Sequence, residues 1–232
     1  MPGPSDDAGV PTSPGADRRG RDEPHEGRAR RAWRERREWR PAVLGAVVAG
    51  AVVLLAVLCL LVRHDEVTGW EPELVEAAVE VPDVVGRALW LVMQLGRRLF
   101  VPLVALTLLL ATRRRDGTVA VVVAGILTGV GTDRWKAWAG RDRPEGVPTR
   151  EDIDGFGFPS GHTATAFALA TVIASLAPAR WRPVPFVVAA LVGLGRITSG
   201  VHYPLDVVGG ALWGVATGAA TLAVLRALSD RR

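Results

Sequence analysis

Gly195-Arg196-Ile197-Thr198-Ser199-Gly200-Val201-His202-Tyr203-Pro204-Leu205-Asp206 sets an arginine, a histidine and an aspartate between two uncharged apolar runs, residues 184–194 and 207–225. Ionisable groups at that depth are expensive in a bilayer and mark functional positions. Pro204 suits the first turn of a helix, where its missing N–H leaves no bond unmade. His202 then stands just before that helix and Asp206 lies in its first turn. A carboxylate near an imidazole can fix its tautomer and stabilise its cation, as in nucleophile–base–orienter sites. The same residues also read as a helix-start acid favoured by the macrodipole beside a loop histidine. Taken alone, the stretch leaves both readings open.

Working outward, apolar residues make up 49% of the 232 and gather in long runs, the pattern of a membrane protein. Residues 42–62 run without a charge, long enough for a first span. A second is expected over 99–112, lengthened by residues 88–96 if Arg97 and Arg98 snorkel. Further helices are expected at 118–138, at 161–177, where Ser160 can act as N-cap, at 184–199 and at 204–228. The acidic segment 63–98 carries a partial helical face and reads as interfacial. Gly210, Gly214 and Gly218 recur every fourth residue and give the last helix one small-residue packing face. The fold expected is all-α, an integral-membrane bundle of six transmembrane helices over residues 41–232. Residues 1–40, rich in Pro, Gly, Asp and Arg, are expected to be a disordered tail.

Of 28 Lys and Arg, one is a lysine, Lys136. The single cysteine, Cys59, excludes an intrachain disulfide. Arginines cluster at 28–40, 113–115, 180–182 and 226–232. Six spans put all four clusters on one side, assigned to the cytoplasm together with both termini. The 28–40 cluster then reads as an anchor for anionic lipid, and no nucleic acid is expected as a partner. The opposite, extracytoplasmic side gathers Lys136, Arg143, Ser160, His162, Arg196, His202 and Asp206 at one end of the bundle.

Three cations with no matching carboxylate cluster, Lys136, Arg143 and Arg196, suit a phosphate or diphosphate. The start of the fourth span adds oriented N–H groups, with Gly161 allowing close approach. Two histidines can supply a nucleophile and an acid. No cluster of metal-ligand spacing is present, so no metal or other cofactor is called for. The residues point to metal-free phosphoryl transfer through a phosphohistidine. Each has a plainer alternative: Lys136 paired with Asp133, Arg141 and Arg143 as solvated loop charges, Ser160 as a simple cap, and His162 facing solvent.

Lys136-x6-Arg143-Pro144, Pro159-Ser160-Gly161-His162 and Arg196-x5-His202-x3-Asp206 together resemble the three motifs of the type 2 phosphatidic acid phosphatase family, which shares its site with vanadium haloperoxidases. The motifs cover residues 136–206. The resemblance implies that His202 is the nucleophile, that Asp206 orients it and that His162 protonates the leaving group. It implies that Lys136, Arg143, Ser160, Gly161 and Arg196 hold the phosphate. Gly195 departs from the serine that family members often carry there. The activity implied is that of a multi-pass lipid phosphatase of the cell membrane, acting at the outer face on a phospholipid or polyprenyl-phosphate substrate drawn from the lipid bilayer. A vanadate-dependent haloperoxidase and a non-catalytic membrane protein are the competing readings; retention of His162, Arg196, His202 and Asp206 stands against the latter. If the orientation is right, a cysteine at Thr149 in a Cys59→Ala background will react with an impermeant thiol reagent on intact cells. Protection until the membrane is permeabilised would invert the topology.

Overall fold

The computed structural model describes residues 40–63, 69–113 and 115–230, and every regular element among them is helical. The expected tail, apart from Arg40, lies outside the described residues. Eight α-helices follow in order: α1 Pro41–Arg63, α2 Trp70–Val79, α3 Asp83–Met93, α4 Phe100–Thr112, α5 Arg115–Ala139, α6 Gly161–Leu176, α7 Pro183–Thr198 and α8 Pro204–Ser229. Short 3-10 turns lie at Gln94–Gly96 and Ala179–Trp181.

Three of the six expected spans, α1, α5 and α8, are long and apolar enough to cross a bilayer unaided. α6 and α7 have 16 residues each, about 24 Å at the α-helical rise, less than a typical hydrocarbon core. α1 shows the logic of a lipid-facing helix. Leu44, Ala51, Leu55, Cys59 and Val62 recur at helical spacing on its buried side. Val53, Leu54, Leu60 and Leu61 stay exposed on the other, as lipid would require. Exposed leucines on α4 (Leu103, Leu106, Leu110) continue the apolar surface.

The second span departs from expectation. Residues 88–96 do not extend α4 in a straight line, because α3 with its 3-10 turn meets α4 at 73°. Two features lie at the bend. Gly96 lies against the backbone of His162, where a Cβ would sit 2.5 Å from the His162 carbonyl. Arg97 leaves the turn with ψ 141°, ending the helical path. Arg97 and Arg98 then pair with Glu151 and Asp133 rather than snorkelling along one axis. The acidic segment before the bend forms two helices, α2 and α3, separated at Pro82.

α8 is the central element. Half of its most apolar stretch is buried, against 22% for α1. It packs on α1, α5 and α6. Contact with α6 depends on the glycine face: a Cβ on Gly210 would meet the Ser160 carbonyl, and one on Gly214 would run into the Ala164 carbonyl and Phe167. Such spacing lets two backbones approach closely, the main source of helix association where both helices are already apolar. Thr128 Oγ1 and Thr217 Oγ1 also share a hydrogen bond of 2.6 Å between α5 and α8. Because overpacking a tight interface costs about 1–3 kcal/mol or more, Gly214→Leu is expected to lower the detergent melting temperature by several degrees. Gly50→Leu, at a position with open space around it, should leave it unchanged. Equal melting curves for the two variants would show that the Gly210/Gly214/Gly218 face carries no packing.

Candidate active site

The last turn of α5, the 140–160 loop, the start of α6, the end of α7 and the start of α8 converge at one end of the bundle. Seven of the eight residues expected in the site lie on these segments, and His202 lies on the turn that joins α7 to α8. Ser160 N donates to the Asp206 carbonyl at 2.9 Å and ties the α6 start to the α8 start. Gly157 packs so closely behind Asp206 that a Cβ there would lie 2.9 Å from Oδ2.

Asp206 is fully buried. A carboxylate in that position must have its charge met by donors. Tyr203 N donates to Oδ2 at 2.9 Å and Arg141 Nη1 to Oδ1 at 2.8 Å. His202 Nδ1 lies 3.2 Å from Oδ2. On the other side of the ring, Arg143 Nη1 faces His202 Nε2 at 3.2 Å. A guanidinium has donors only, so Nε2 carries the lone pair and Nδ1 carries the proton toward Asp206. The imidazole thereby turns its unprotonated nitrogen toward cations. Burial, followed by the positive charge of Arg196, Arg143 and Lys136, holds His202 well below its ordinary pKa of 6.5.

Arg143 also donates from Nε to the Gly155 carbonyl at 2.8 Å, from Nη1 to Val201 at 2.8 Å and from Nη2 to Phe156 at 3.2 Å. Lys136 Nζ donates to the Phe156 carbonyl and, at 3.3 Å, to that of Gly157. These two cations clamp the 155–157 backbone beside the site. The expected alternative of Lys136 paired with Asp133 is not adopted, because Asp133 takes a bidentate contact from Arg98 at 2.5 and 3.1 Å. Ser160 occupies the N-cap position of α6 but makes no side-chain cap bond; its Oγ accepts from Thr163 Oγ1 at 3.0 Å. His162 is not a solvent-facing histidine: its Nε2 is buried and has no partner.

Three residues outside the expected set complete the site. Arg141, read as a loop charge, is 2% exposed and bridges Asp206 to Glu71, with Nη2 2.6 Å from Glu71 Oε2. Its guanidinium also stacks 4.7 Å from the centre of the Tyr203 ring. Glu71, on α2, is fully buried and accepts from Leu205 N at 3.1 Å. Glu151 corrects the expectation that Arg196 lacks a carboxylate: Arg196 Nη1 donates to Glu151 Oε2 at 2.6 Å. Burial works against ionising Glu151, yet the hydrogen bond and charge of Arg196, helped by Gln94 and Arg97, hold its carboxyl below the usual range. Arg196 Nε remains buried and unpartnered, as does Thr132 Oγ1 one turn before Lys136. The carbonyl to which Thr132 would bond back is that of Thr128, already taken by Trp213 Nε1 at 3.0 Å. Gly195 accounts for the missing serine: a Cβ there would sit 2.7 Å from the Leu89 carbonyl of α3. Unmet donors, two further cations and the start of a 16-residue helix together fit a tetrahedral oxyanion.

Residues 116–230 match the PAP2 superfamily. Among curated proteins, phosphatidylglycerophosphatase B of Bacillus subtilis is 36% identical over 34% of this chain and 46% of its own. Lipid A 1-phosphatase of Porphyromonas gingivalis is 39% identical over 34% of this chain and 17% of its own. The chain thus spans less than half the length of these relatives. The crystal structure of Aquifex aeolicus LpxE superposes with a TM-score of 0.62 and 28% identity, covering 68% of this chain and 97% of that one. That of a PAP2-type phosphatidylglycerolphosphate phosphatase from Bacillus subtilis gives 0.66 at 22% identity, covering 79% and 96%.

The geometry around His202 has a direct spectroscopic consequence. Cations that repel its protonated form depress its pKa, so the neutral ring persists below pH 6.5 and is lost only on further acidification. Arg143→Gln removes one of those cations and should move the His202 titration upward, toward 6.5. Histidine-selective NMR of labelled protein in micelles reads both values. A wild-type His202 that titrates at or above 6.5 would contradict the buried, cation-facing ring.

Proposed function

The chain carries a PAP2 superfamily domain over residues 116–230, and from that premise we propose that it is an integral-membrane lipid phosphatase acting through a phosphohistidine. The carrying observation is the pair of histidines. One has its unprotonated nitrogen among cations and donates its Nδ1 proton to a buried carboxylate, and the other has a buried nitrogen with no partner. In the first step His202 Nε2 attacks phosphorus. The bond to the lipid oxygen breaks, and that oxygen takes a proton from His162 Nε2. Asp206 stabilises the ring while it is bonded to phosphorus. In the second step water, giving its proton back to His162, attacks phosphorus and releases phosphate and free His202. Lys136, Arg143, Arg196, the Ser160 hydroxyl and the Gly161 N–H hold and neutralise the transferring group, the work a magnesium ion does elsewhere. Activity should therefore survive excess EDTA.

The substrate class proposed is a phosphate monoester or diphosphate of a membrane lipid: phosphatidate, phosphatidylglycerophosphate or a polyprenyl diphosphate. Relatives named for phosphatidylglycerophosphate and lipid A support a lipid substrate. The exposed apolar faces of α1 and α4 support access from the bilayer. The reading includes six spans, with the bent α3–α4 pair counted as one, both termini cytoplasmic and the site at the outer face.

The two histidines are separated by their leaving groups. His202→Ala should abolish turnover of every substrate. His162→Ala should lower hydrolysis of phosphatidate by about 10²–10⁴-fold, the usual worth of general acid catalysis. It should lower hydrolysis of p-nitrophenyl phosphate far less, because nitrophenolate departs without a proton. Equal losses on both substrates would remove His162 from the acid role.

A further inference from the structure

The 140–160 loop brings a carboxylate into a site built for anions. It folds back on the turn after α7: Arg150 N donates to the Ser199 carbonyl at 3.1 Å, and Gly200, at φ +70°, lets the Pro148 carbonyl approach where a Cβ would lie 2.6 Å away. This docking aims Glu151 inward. Its Oε2 accepts from Arg196 Nη1 at 2.6 Å. Its Oε1 accepts from Arg97 Nη2 at 3.2 Å and Gln94 Nε2 at 3.3 Å. The side chain is 11% exposed.

Its location relative to His162 follows from the same contacts. Gln94 opens the 3-10 turn and Arg97 follows it, and Gly96 of that turn presses on the His162 carbonyl. Glu151 is held on the side of the site where α6 carries His162, the residue assigned to the departing oxygen, and its charge acts on that ring. Whatever is bonded to that oxygen must pass there. For a monoester it is a carbon of the lipid; for a diphosphate it is a second, negatively charged phosphate. The donors that would welcome a second phosphate, Arg97, Gln94 and one arm of Arg196, are all engaged by the Glu151 carboxylate.

We propose that Glu151 is a specificity-determining residue that selects lipid phosphate monoesters over diphosphates by holding a fixed negative charge where the second phosphate would lie. The proposal rests on the phosphatase reading above. Discrimination of this kind works by placing a repulsive element against the unwanted ligand. Glu151→Gln keeps an acceptor for Arg196 and removes the charge.

The test uses two tail-matched lipids, phosphatidate and diacylglycerol diphosphate, with the full-length protein in mixed micelles. Wild type should favour the monophosphate in kcat/KM, and Glu151→Gln should narrow that preference about tenfold, chiefly through a lower KM for the diphosphate. Glu151→Asp, which keeps the charge, should retain most of the preference. Calorimetric binding of inorganic phosphate and pyrophosphate gives a readout that needs no turnover, and the mutation should favour pyrophosphate by a similar factor. An unchanged ratio in both assays, or equal losses for both ligands, would overturn the proposal and leave Glu151 as a support for Arg196. If wild type hydrolyses neither lipid, the phosphatase reading fails, while the phosphate-to-pyrophosphate binding ratio still decides the role of Glu151.

Discussion

The site hangs on one buried guanidinium. Arg141 stands between two fully buried carboxylates, Asp206 and Glu71, and meets both with charge-assisted hydrogen bonds. Removing an ionised carboxylate from water is costly, and taking one partner out of such a pair leaves an uncompensated charge that costs about 3–5 kcal/mol. Asp206 is the residue that fixes the His202 tautomer, so the imidazole inherits its orientation from Arg141 at one remove. Glu71 completes the balance. Two carboxylates on one guanidinium would leave a surplus negative charge, and the neighbouring cations Arg143 and Lys136 offset it. α2 is thereby bound to the chemistry although it lies far away in sequence. Through Leu205 N, Glu71 also holds the first turn of α8, on which Asp206 is carried.

Close helix packing is what allows charges to be arranged so tightly. Gly210 and Gly214 let α8 lie against the α6 backbone, which places Ser160 N on the Asp206 carbonyl. Gly193 and Gly195 do the same for α7: a Cβ on the first would strike Val207, and one on the second the α3 backbone. The departure at Gly195 is thus a packing requirement. α3 occupies the space that a serine side chain would need.

The parts of this arrangement legible in the sequence are those encoded by local spacing. His202 and Asp206 are four apart, with Pro204 fixing the helix start between them, so their contact follows from one turn of helix. The Gly210/Gly214/Gly218 repeat announces its face in the same way. The orientation rule then brought Lys136, Arg143, Ser160, His162 and Arg196 to that end without any knowledge of tertiary structure. What stayed hidden depends on long-range pairing between residues of ordinary type. Glu71 is one of seven acids in a polar segment, and nothing in its neighbours marks it as the one that turns inward. Arg141 sits in an arginine-rich loop of a chain that uses arginine almost everywhere a cation is needed. Composition therefore blunted the very signal that made Lys136 stand out. The bend before α4 was hidden for another reason: it is imposed by the His162 backbone against Gly96, a contact between segments 66 residues apart.

Glu151 shows how a loop between two motifs can add to the site a residue that neither motif contains. It is held by donors from three sources: the end of α7, the 3-10 turn and the residue after that turn. A side chain gripped at that many points resists displacement, because a ligand that removes it must satisfy Arg97, Gln94 and Arg196 at once and must also find water or another donor for the released carboxylate. On the proposed phosphatase reading, a single phosphate held by Lys136, Arg143 and the start of α6 has no need to do so, since Arg196 still offers its unpartnered Nε. The geometry thus divides one arginine between two duties. One nitrogen is spent on the loop and another is left for the ligand, which is why Arg196 can be both fully buried and incompletely satisfied.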